Sequence, residues 1–217
     1  MIEFKNVSYA HSKGYGVNSL NMVIEEGDFT FLIGPTGSGK TTLMRLIYFD
    51  IFPDTGFVKV NGIKSTDISK SKIPNIRKSI GMVFQDYKLL NDRNLFENVA
   101  LPLHVLGYSN KEITNRVDEA LDLVGLVGKE MHHPNELSGG EQQRASLARA
   151  IIKEPDLILA DEPTGNLDPV ASFELVRLLE TIHETGTTIL MASHNYNLIK
   201  GRGRPIYELK DGVLRIR

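Results

Sequence analysis

The run Gly34-Pro35-Thr36-Gly37-Ser38-Gly39-Lys40-Thr41 constrains this chain more than any other feature. Its glycines free the backbone to turn successive N–H groups inward around a polyphosphate. A lysine and a hydroxyl follow at the spacing that reaches the terminal phosphates and Mg²⁺. Such a loop needs a strand to deliver it and a helix whose N-terminus completes the anion site, and the flanks agree. Residues 29–33 are a continuous apolar run, and residues 42–49 place Leu43, Leu46 and Ile47 on one helical face. Strand, loop and helix therefore predict a nucleotide-binding α/β fold.

The rest of the chain extends that unit. Residues 2–9 and 20–24 alternate apolar and polar side chains, which predicts antiparallel β structure at the start. Residues 57–60 and 80–84 read as further short strands, the second ending at Gln85. Residues 157–160 and 187–192 read as buried strands with a helix over residues 170–184 between them, so a parallel sheet with helices on both faces is expected. Between residues 86 and 136 the character changes. Ile113, Val117, Leu121 and Val124 recur at helical spacing over residues 111–124, predicting a small helical insertion. The helix that follows, residues 141–152, opens at Ser138 as N-cap, with Glu141 completing a capping box. Lys210-Asp211-Gly212-Val213 predicts a hairpin, and prolines and glycines are expected singly at turns.

Phosphoryl transfer to water needs Mg²⁺ to neutralise charge, donors around the γ-phosphate and a group that orients the attacking water. Lys40 reaches the terminal phosphates, Thr41 meets the metal, and Asp161, emerging from residues 157–160, holds its water shell. Glu162, next along the chain, is placed to polarise the in-line water. His194 follows another buried strand, so it is expected at the same sheet edge as a donor to the γ-phosphate. Gln85 can donate and accept at once, which suits contact with metal-bound water. His132 and His133 have no such placement and read as solvated loop residues. Ser138-Gly139-Gly140, at a helix N-terminus, forms a second anion site. The first loop already embraces one side of a triphosphate, so the second is expected to cap the nucleotide of another copy. Two chains head to tail would enclose two ATP molecules, with Asn166-Leu167-Asp168 at the shared interface.

Composition narrows the function classes. The 217 residues carry 25 Lys and Arg against 27 Asp and Glu, a net charge of −2 that offers no global field for nucleic acid or anionic lipid. The absence of cysteine removes disulfides, thiolate metal sites and thiol nucleophiles, and suits a reducing compartment. The opening residues lack the pattern of a secretory signal, and nothing approaches the ~18 consecutive apolar residues of a membrane helix. A membrane role is therefore expected to run through a partner.

Together these motifs resemble the ATP-binding-cassette ATPases over essentially the whole chain. Gly34 to Thr41 resembles the family's Walker A loop, Gln85 its Q-loop and Leu137-Ser138-Gly139-Gly140-Glu141 its signature. Residues 157–161 resemble its Walker B strand, Glu162 its catalytic glutamate, residues 166–168 its D-loop and His194 its switch histidine. The resemblance implies a P-loop NTPase fold forming one domain over residues 1–217. Residues 1–85 and 153–217 would form a parallel-sheet ATPase core with an antiparallel β subdomain, and residues 86–152 a helical subdomain carrying the signature.

The resemblance also implies ATP and Mg²⁺ as cofactors, and an ATP-sandwiched homodimer. Gly34, Pro35, Thr36, Gly37, Ser38, Gly39, Lys40, Thr41 and Thr42 would hold the nucleotide, joined by Ser138, Gly139, Gly140, Glu141 and Asp168 across the dimer. Thr41, Gln85 and Asp161 would serve the metal; Glu162, His194, Gln85 and Lys40 would serve catalysis. His11 occupies the place of the family's adenine-stacking aromatic, with Tyr9 and Tyr15 as the other candidates.

Within the family, residues 84–93 and 98–103 are similar to cell-division members. In these, ATP-driven dimerisation moves an integral membrane partner and so controls cell-wall hydrolases, without pumping a solute. Lipoprotein-release and efflux subunits share much of the other motifs and are the alternative. A nucleotide-gated scaffold with negligible turnover is the remaining reading. The discriminating pair is Asp92-Arg93, and residues 85–103 are the expected dock for the partner's cytoplasmic segment. On this reading the chain is cytoplasmic, on the inner membrane face through its partner. Residues 200–204, with Lys200, Arg202 and Arg204, read as a solvated basic turn, and no nucleic-acid partner is expected.

Overall fold

The computed structural model describes residues 1–11 and 16–217. The chain runs through β1 (Ile2–Ala10), β2 (Gly16–Ile24), β3 (Phe29–Ile33), α1 (Lys40–Ile47), β4 (Thr55–Val60) and β5 (Ile63–Lys64). It continues through α2 (Ile73–Lys78), β6 (Ile80–Phe84), α3 (Leu95–Leu106), α4 (Asn110–Leu123), α5 (Gly139–Ile151) and β7 (Leu157–Asp161). It then forms α6 (Pro169–Glu184), β8 (Thr188–Ser193), α7 (Tyr196–Ile199), β9 (Ile206–Lys210) and β10 (Val213–Ile216).

The strands divide into two sheets. One is antiparallel with order β2-β1-β4-β5; the other has order β10-β9-β3-β8-β7-β6. In the second sheet β9, β3, β8, β7 and β6 pair in parallel, and only the β10 edge is antiparallel. Strict alternation along the parallel strands splits the core. Leu32, Leu157, Leu159 and Leu190 face one side, where they meet α1 and the antiparallel sheet through Leu43, Ile47, Phe4 and Ile24. Phe31, Ile158, Ala160 and Ile189 face the other, against Leu147 of α5 and Leu175 and Leu179 of α6. A third cluster joins α3, α4 and α5 through Leu95, Val99, Val117, Leu121, Ala145 and Ala148. Helix α5 thus belongs to two cores.

Several expectations are met in detail. Ser138 caps α5 and Glu141 returns to its backbone. The expected hairpin joins β9 to β10 through Asp211 and Gly212, both at positive φ, 51° and 74°. Others need correction. Helix α1 stops at Ile47 because Phe49 turns left-handed at φ 52°. Strand β2 begins at Gly16, earlier than the alternation indicated. Proline is not confined to turns, since Pro102 lies inside α3. Lacking an N–H, it leaves the Asn98 carbonyl without its intrahelical donor, and it interrupts the pattern by which the helix would be read. Helix α3 is fixed instead by its ends, a capping box between Asn94 and Glu97 and a left-handed Gly107.

Asn98 ties this helix to the turn before it. Fully buried, its Oδ1 accepts from Leu90 N–H at 2.7 Å, and its amide donates to the carbonyls of Leu90, Arg93 and Asn94 at 3.0, 3.1 and 2.9 Å. Removing it takes the partner from one N–H and three carbonyls of a part-buried turn and empties a fully buried site, so Asn98→Ala is expected to cost about 1–3 kcal/mol. Urea unfolding checks this; a loss under about 0.5 kcal/mol would show that the turn stands without it.

Candidate active site

Parallel strands send their carboxyl ends to one edge, and here that edge collects the chemistry. In register, Ile33 lies opposite Ser193, Asp161 opposite Ala192, and Phe84 opposite Asp161. The residues immediately beyond are the Gly34 loop, His194, Glu162 and Gln85. They line a groove of about 740 Å³ together with His11, Thr36, Gly37, Lys40, Thr41, Thr42, Asp161 and Asn166.

The loop geometry is dictated by space and by φ. A Cβ at Gly34 would stand 2.2 Å from the Leu209 carbonyl, so only glycine passes beneath β9. Gly39 precedes α1 at φ 107° and supplies no side-chain cap, so the first N–H groups of α1 are left for an anion. Ser38 is buried with its Oγ unpartnered. Lys40 is also buried, and its ammonium donates to the carbonyls of Gly34 at 2.8 Å and Pro35 at 3.0 Å. It further meets Glu162 Oε1 at 3.0 Å. The other carboxylate oxygen of Glu162 lies 2.7 Å from His194 Nδ1. Burial pushes the Glu162 carboxyl up, but the hydrogen bonds from Lys40 and His194 outweigh it and hold the group below the usual range. Glu162 adopts a left-handed φ of 48°, a non-glycine conformation that costs on the order of 1–3 kcal/mol and gathers at functional sites.

Asp161 sits deeper. Burial raises its pKa, against a hydrogen bond donated by the Thr41 hydroxyl that lowers it, and Oδ1 is buried with no hydrogen-bond partner. A buried carboxylate oxygen without a donor, beside a threonine hydroxyl and the phosphate loop, fits a hard divalent cation such as Mg²⁺. Gln85 is turned sideways. Its Nε2 donates to Asn166 Oδ1 at 3.3 Å while Asn166 Nδ2 donates to the Gln85 carbonyl at 3.0 Å. Gly165 makes this approach possible, because a Cβ there would stand 2.8 Å from the Gln85 amide. The reciprocal pair was not legible in the sequence, since the partners are 81 positions apart. His11 lines the groove, its Nε2 at 3.0 Å from Thr42 Oγ1 and its ring edge-on to Tyr9. Tyr9 opens on a neighbouring cavity, and Tyr15 lies outside the described residues.

Ser138, Gly139, Gly140 and Glu141 do not line this groove. They form the first turn of α5, next to the 166–168 segment; Gly139 faces Tyr87 and the Asn166 carbonyl. Glu141 is engaged in capping, and Lys129 holds its other oxygen. Asp168 likewise caps α6, accepting from Val170 and Ala171 at 2.8 and 2.9 Å. His132 and His133 are exposed as expected. The basic turn is less solvated than expected, because Arg202 pairs with Glu180 at 2.7 Å and lies over Phe173, while Arg204 meets His183.

Comparison with known proteins agrees with this geometry. The ABC transporter family matches residues 17–165. The cell division ATP-binding protein FtsE of Bacillus subtilis is 43% identical over 99% of this chain and 94% of its own length. That of Haemophilus influenzae is 44% identical over 99% of this chain and all of its own. Among solved structures, the ATP-binding cassette MJ0796, as a dimer in a post-hydrolysis state bound to ADP and Pi, superposes with a TM-score of 0.90. It is 35% identical and covers 100% of this chain and 98% of its own. CbiO1 from Clostridium perfringens, part of the transporter complex cbiONQ, also gives 0.90 at 29% identity over 99% of this chain and 86% of its own. On motifs, fold and full-length similarity alike, this chain belongs to the ABC transporter family of ATP-binding-cassette ATPases.

Proposed function

We propose that this chain is the ATP-hydrolysing subunit of an FtsE-type complex. It dimerises around ATP and transmits that closure to an integral membrane partner resembling FtsX, which controls cell-wall hydrolysis in division. The observation that carries the reading is the clustering of Lys40, Thr41, Asp161, Glu162 and His194 at one sheet edge, in a chain similar to FtsE from end to end. Among the described residues no helix is long and apolar enough to cross a membrane. Work on a membrane therefore passes through the partner, with this chain on its cytoplasmic side.

ATP enters with its phosphates on the α1 N-terminus and the Gly34 loop. Thr41 and Asp161, with Gln85 at the rim, would hold Mg²⁺, and the ion would supply positive charge against the phosphates. The Lys40 ammonium exchanges Glu162 for phosphate oxygen. One oxygen of Glu162 is thereby freed to accept the proton of a water attacking the γ-phosphorus, while the bond to the bridging oxygen breaks and ADP leaves. His194 turns its donor from Glu162 to the γ-phosphate. Ser138, Gly139 and Gly140 of the second copy close over the same phosphates, and Asn166 and Asp168 lie at the seam.

The partner's dock is a groove of about 340 Å³ between the sheet and α3. It is floored by Tyr48, Met82, Phe84, Leu90, Leu101 and Pro102 and rimmed by Lys88, Arg149 and Lys153. Asp92 and Arg93 are exposed on the turn that Asn98 holds beside it. The residue ranges 1–85 with 153–217, and 86–152, act in this proposal as the ATPase core and the unit that carries the dock and signature.

Two outcomes are expected. Glu162→Gln should lower steady-state phosphate release by roughly a hundredfold or more and trap an ATP-bound dimer by light scattering. Equal turnover would make the chain a nucleotide-gated scaffold. Charge reversal at Asp92 or Arg93 should weaken co-purification of the membrane partner several-fold while sparing ATP binding. Mass spectrometry of complexes captured by the Glu162→Gln chain identifies the partner: an FtsX-like protein supports the division role, and a lipoprotein-release or efflux permease overturns it.

A further inference from the structure

The first turn of α5 contains an acid where an anion is meant to arrive. Glu141 Oε2 accepts from Ser138 N–H at 2.8 Å and from Ser138 Oγ at 2.9 Å, and its own N–H donates to Ser138 Oγ at 3.3 Å. The carboxylate therefore occupies the Ser138 hydroxyl proton and stands within the same helical turn as Gly139 and Gly140. A negative group there offsets the helix dipole that makes such a terminus attractive to phosphate. Its remaining oxygen, Oε1, is held by the Lys129 ammonium. Lys129 lies outside the helix, on the turn after α4, which is fixed by Lys129 N–H to the Leu126 carbonyl at 3.2 Å and His132 N–H to the Lys129 carbonyl at 3.0 Å. The neighbouring acids do not compete for it, since Glu130 accepts from Gly128 N–H at 2.8 Å and Glu136 from His133 N–H at 2.6 Å.

We propose that Lys129 is a positioning residue for the inter-subunit phosphate contact: it neutralises Glu141 and holds it on Ser138. The α5 N-terminus then presents N–H groups, not a net negative charge, to the triphosphate of a second copy. This rests on the reading that Ser138 to Gly140 cap the nucleotide of another chain. Glu141 then acts as a cap and not as a nucleotide ligand, and its charge is tolerated because Lys129 matches it. The Lys129 bond and the Ser138 N–H hold the Glu141 carboxyl down at about 2, so the acid carries its charge at every physiological pH. Nothing in the signature run itself provides that cation. The nearest basic side chain on the helix, Arg144, points to Gly140 and Glu174.

The test is a double-mutant cycle in the Glu162→Gln chain, reading by light scattering the ATP concentration that gives half-maximal dimer in excess Mg²⁺. Lys129→Ala is expected to raise that concentration roughly tenfold in the presence of Glu141. Made in a Glu141→Gln chain, the same change is expected to shift it less than about twofold, because the charge needing neutralisation is gone. Lys129→Arg should behave like lysine. Two results overturn the proposal: unchanged dimerisation of Lys129→Ala, or an equal penalty with and without Glu141, which would mark Lys129 as a prop for its loop. If the Glu162→Gln chain itself stays monomeric with ATP, the head-to-tail reading fails and takes the proposal with it. A parent that dimerises beside an indifferent Lys129→Ala leaves the reading standing and removes only the proposal.

Discussion

In-register parallel pairing of β3, β8, β7 and β6 is the constraint from which the rest of this structure follows. Because side chains alternate with period 2, a slip of one residue would move Leu157 and Leu159 from the core beneath α1 to the side of α6, and would carry Asp161 to the wrong face. The apolar alternation that fixes the core thus also fixes the site. Four strands that must end together place a glycine loop, an acid pair, a histidine and a glutamine within one groove. The chemical residues need no packing of their own to find each other; they sit one step beyond positions that packing has already set.

Helix α5 extends this logic to residues outside the groove. Leu147 and Ala150 pack with α6 against the sheet while Ala145 and Ala148 pack with α3 and α4, so the helix is common to both cores. Polar side chains along it reach back to the strand that ends at Gln85. Gln143 donates to the Phe84 carbonyl at 3.1 Å, and Arg149 donates to the carbonyls of Tyr87 and Lys88 at 2.8 and 2.6 Å. Tyr87 and Lys88 both hold positive φ, and the Arg149 guanidinium is what satisfies their carbonyls in that strained turn. Three side-chain hydrogen bonds therefore join the segment around Gln85 to the helix whose first turn carries Ser138, Gly139 and Gly140.

How much of this could be read from sequence depends on whether the physics is local. The loop at Gly34, the acids at Asp161 and the histidine at 194 stand directly after apolar runs, so strand ends and site residues announce one another. The Ser138 and Glu141 cap is likewise local, three residues wide. Helix α3 escaped because Pro102 breaks its period and because its terminal signals, Asn94 with Glu97 and Gly107, stand apart from any clean apolar stripe. The pairing of Gln85 with Asn166 and of Arg202 with Glu180 joins positions from different elements, and no spacing rule connects them. Glu162 read as an acid beside a γ-phosphate; that Lys40 and His194 grip both its oxygens depends on three strand ends at once.

The place of β3 in its sheet has a consequence for how the chain is made. Residues 29–33 leave the ribosome long before their two partners, β8, residues 188–193, and β9, residues 206–210. Until those segments emerge, β3, buried along its whole length in the folded chain, has no neighbour on either side, and the glycine loop has no Leu209 carbonyl above it to define its path. The antiparallel sheet, whose strands all lie before residue 65, can close on its own much sooner. Synthesis is vectorial while the central sheet is long-range, so the nucleotide loop takes its final path only after residues 188–210 have been made and have paired with β3.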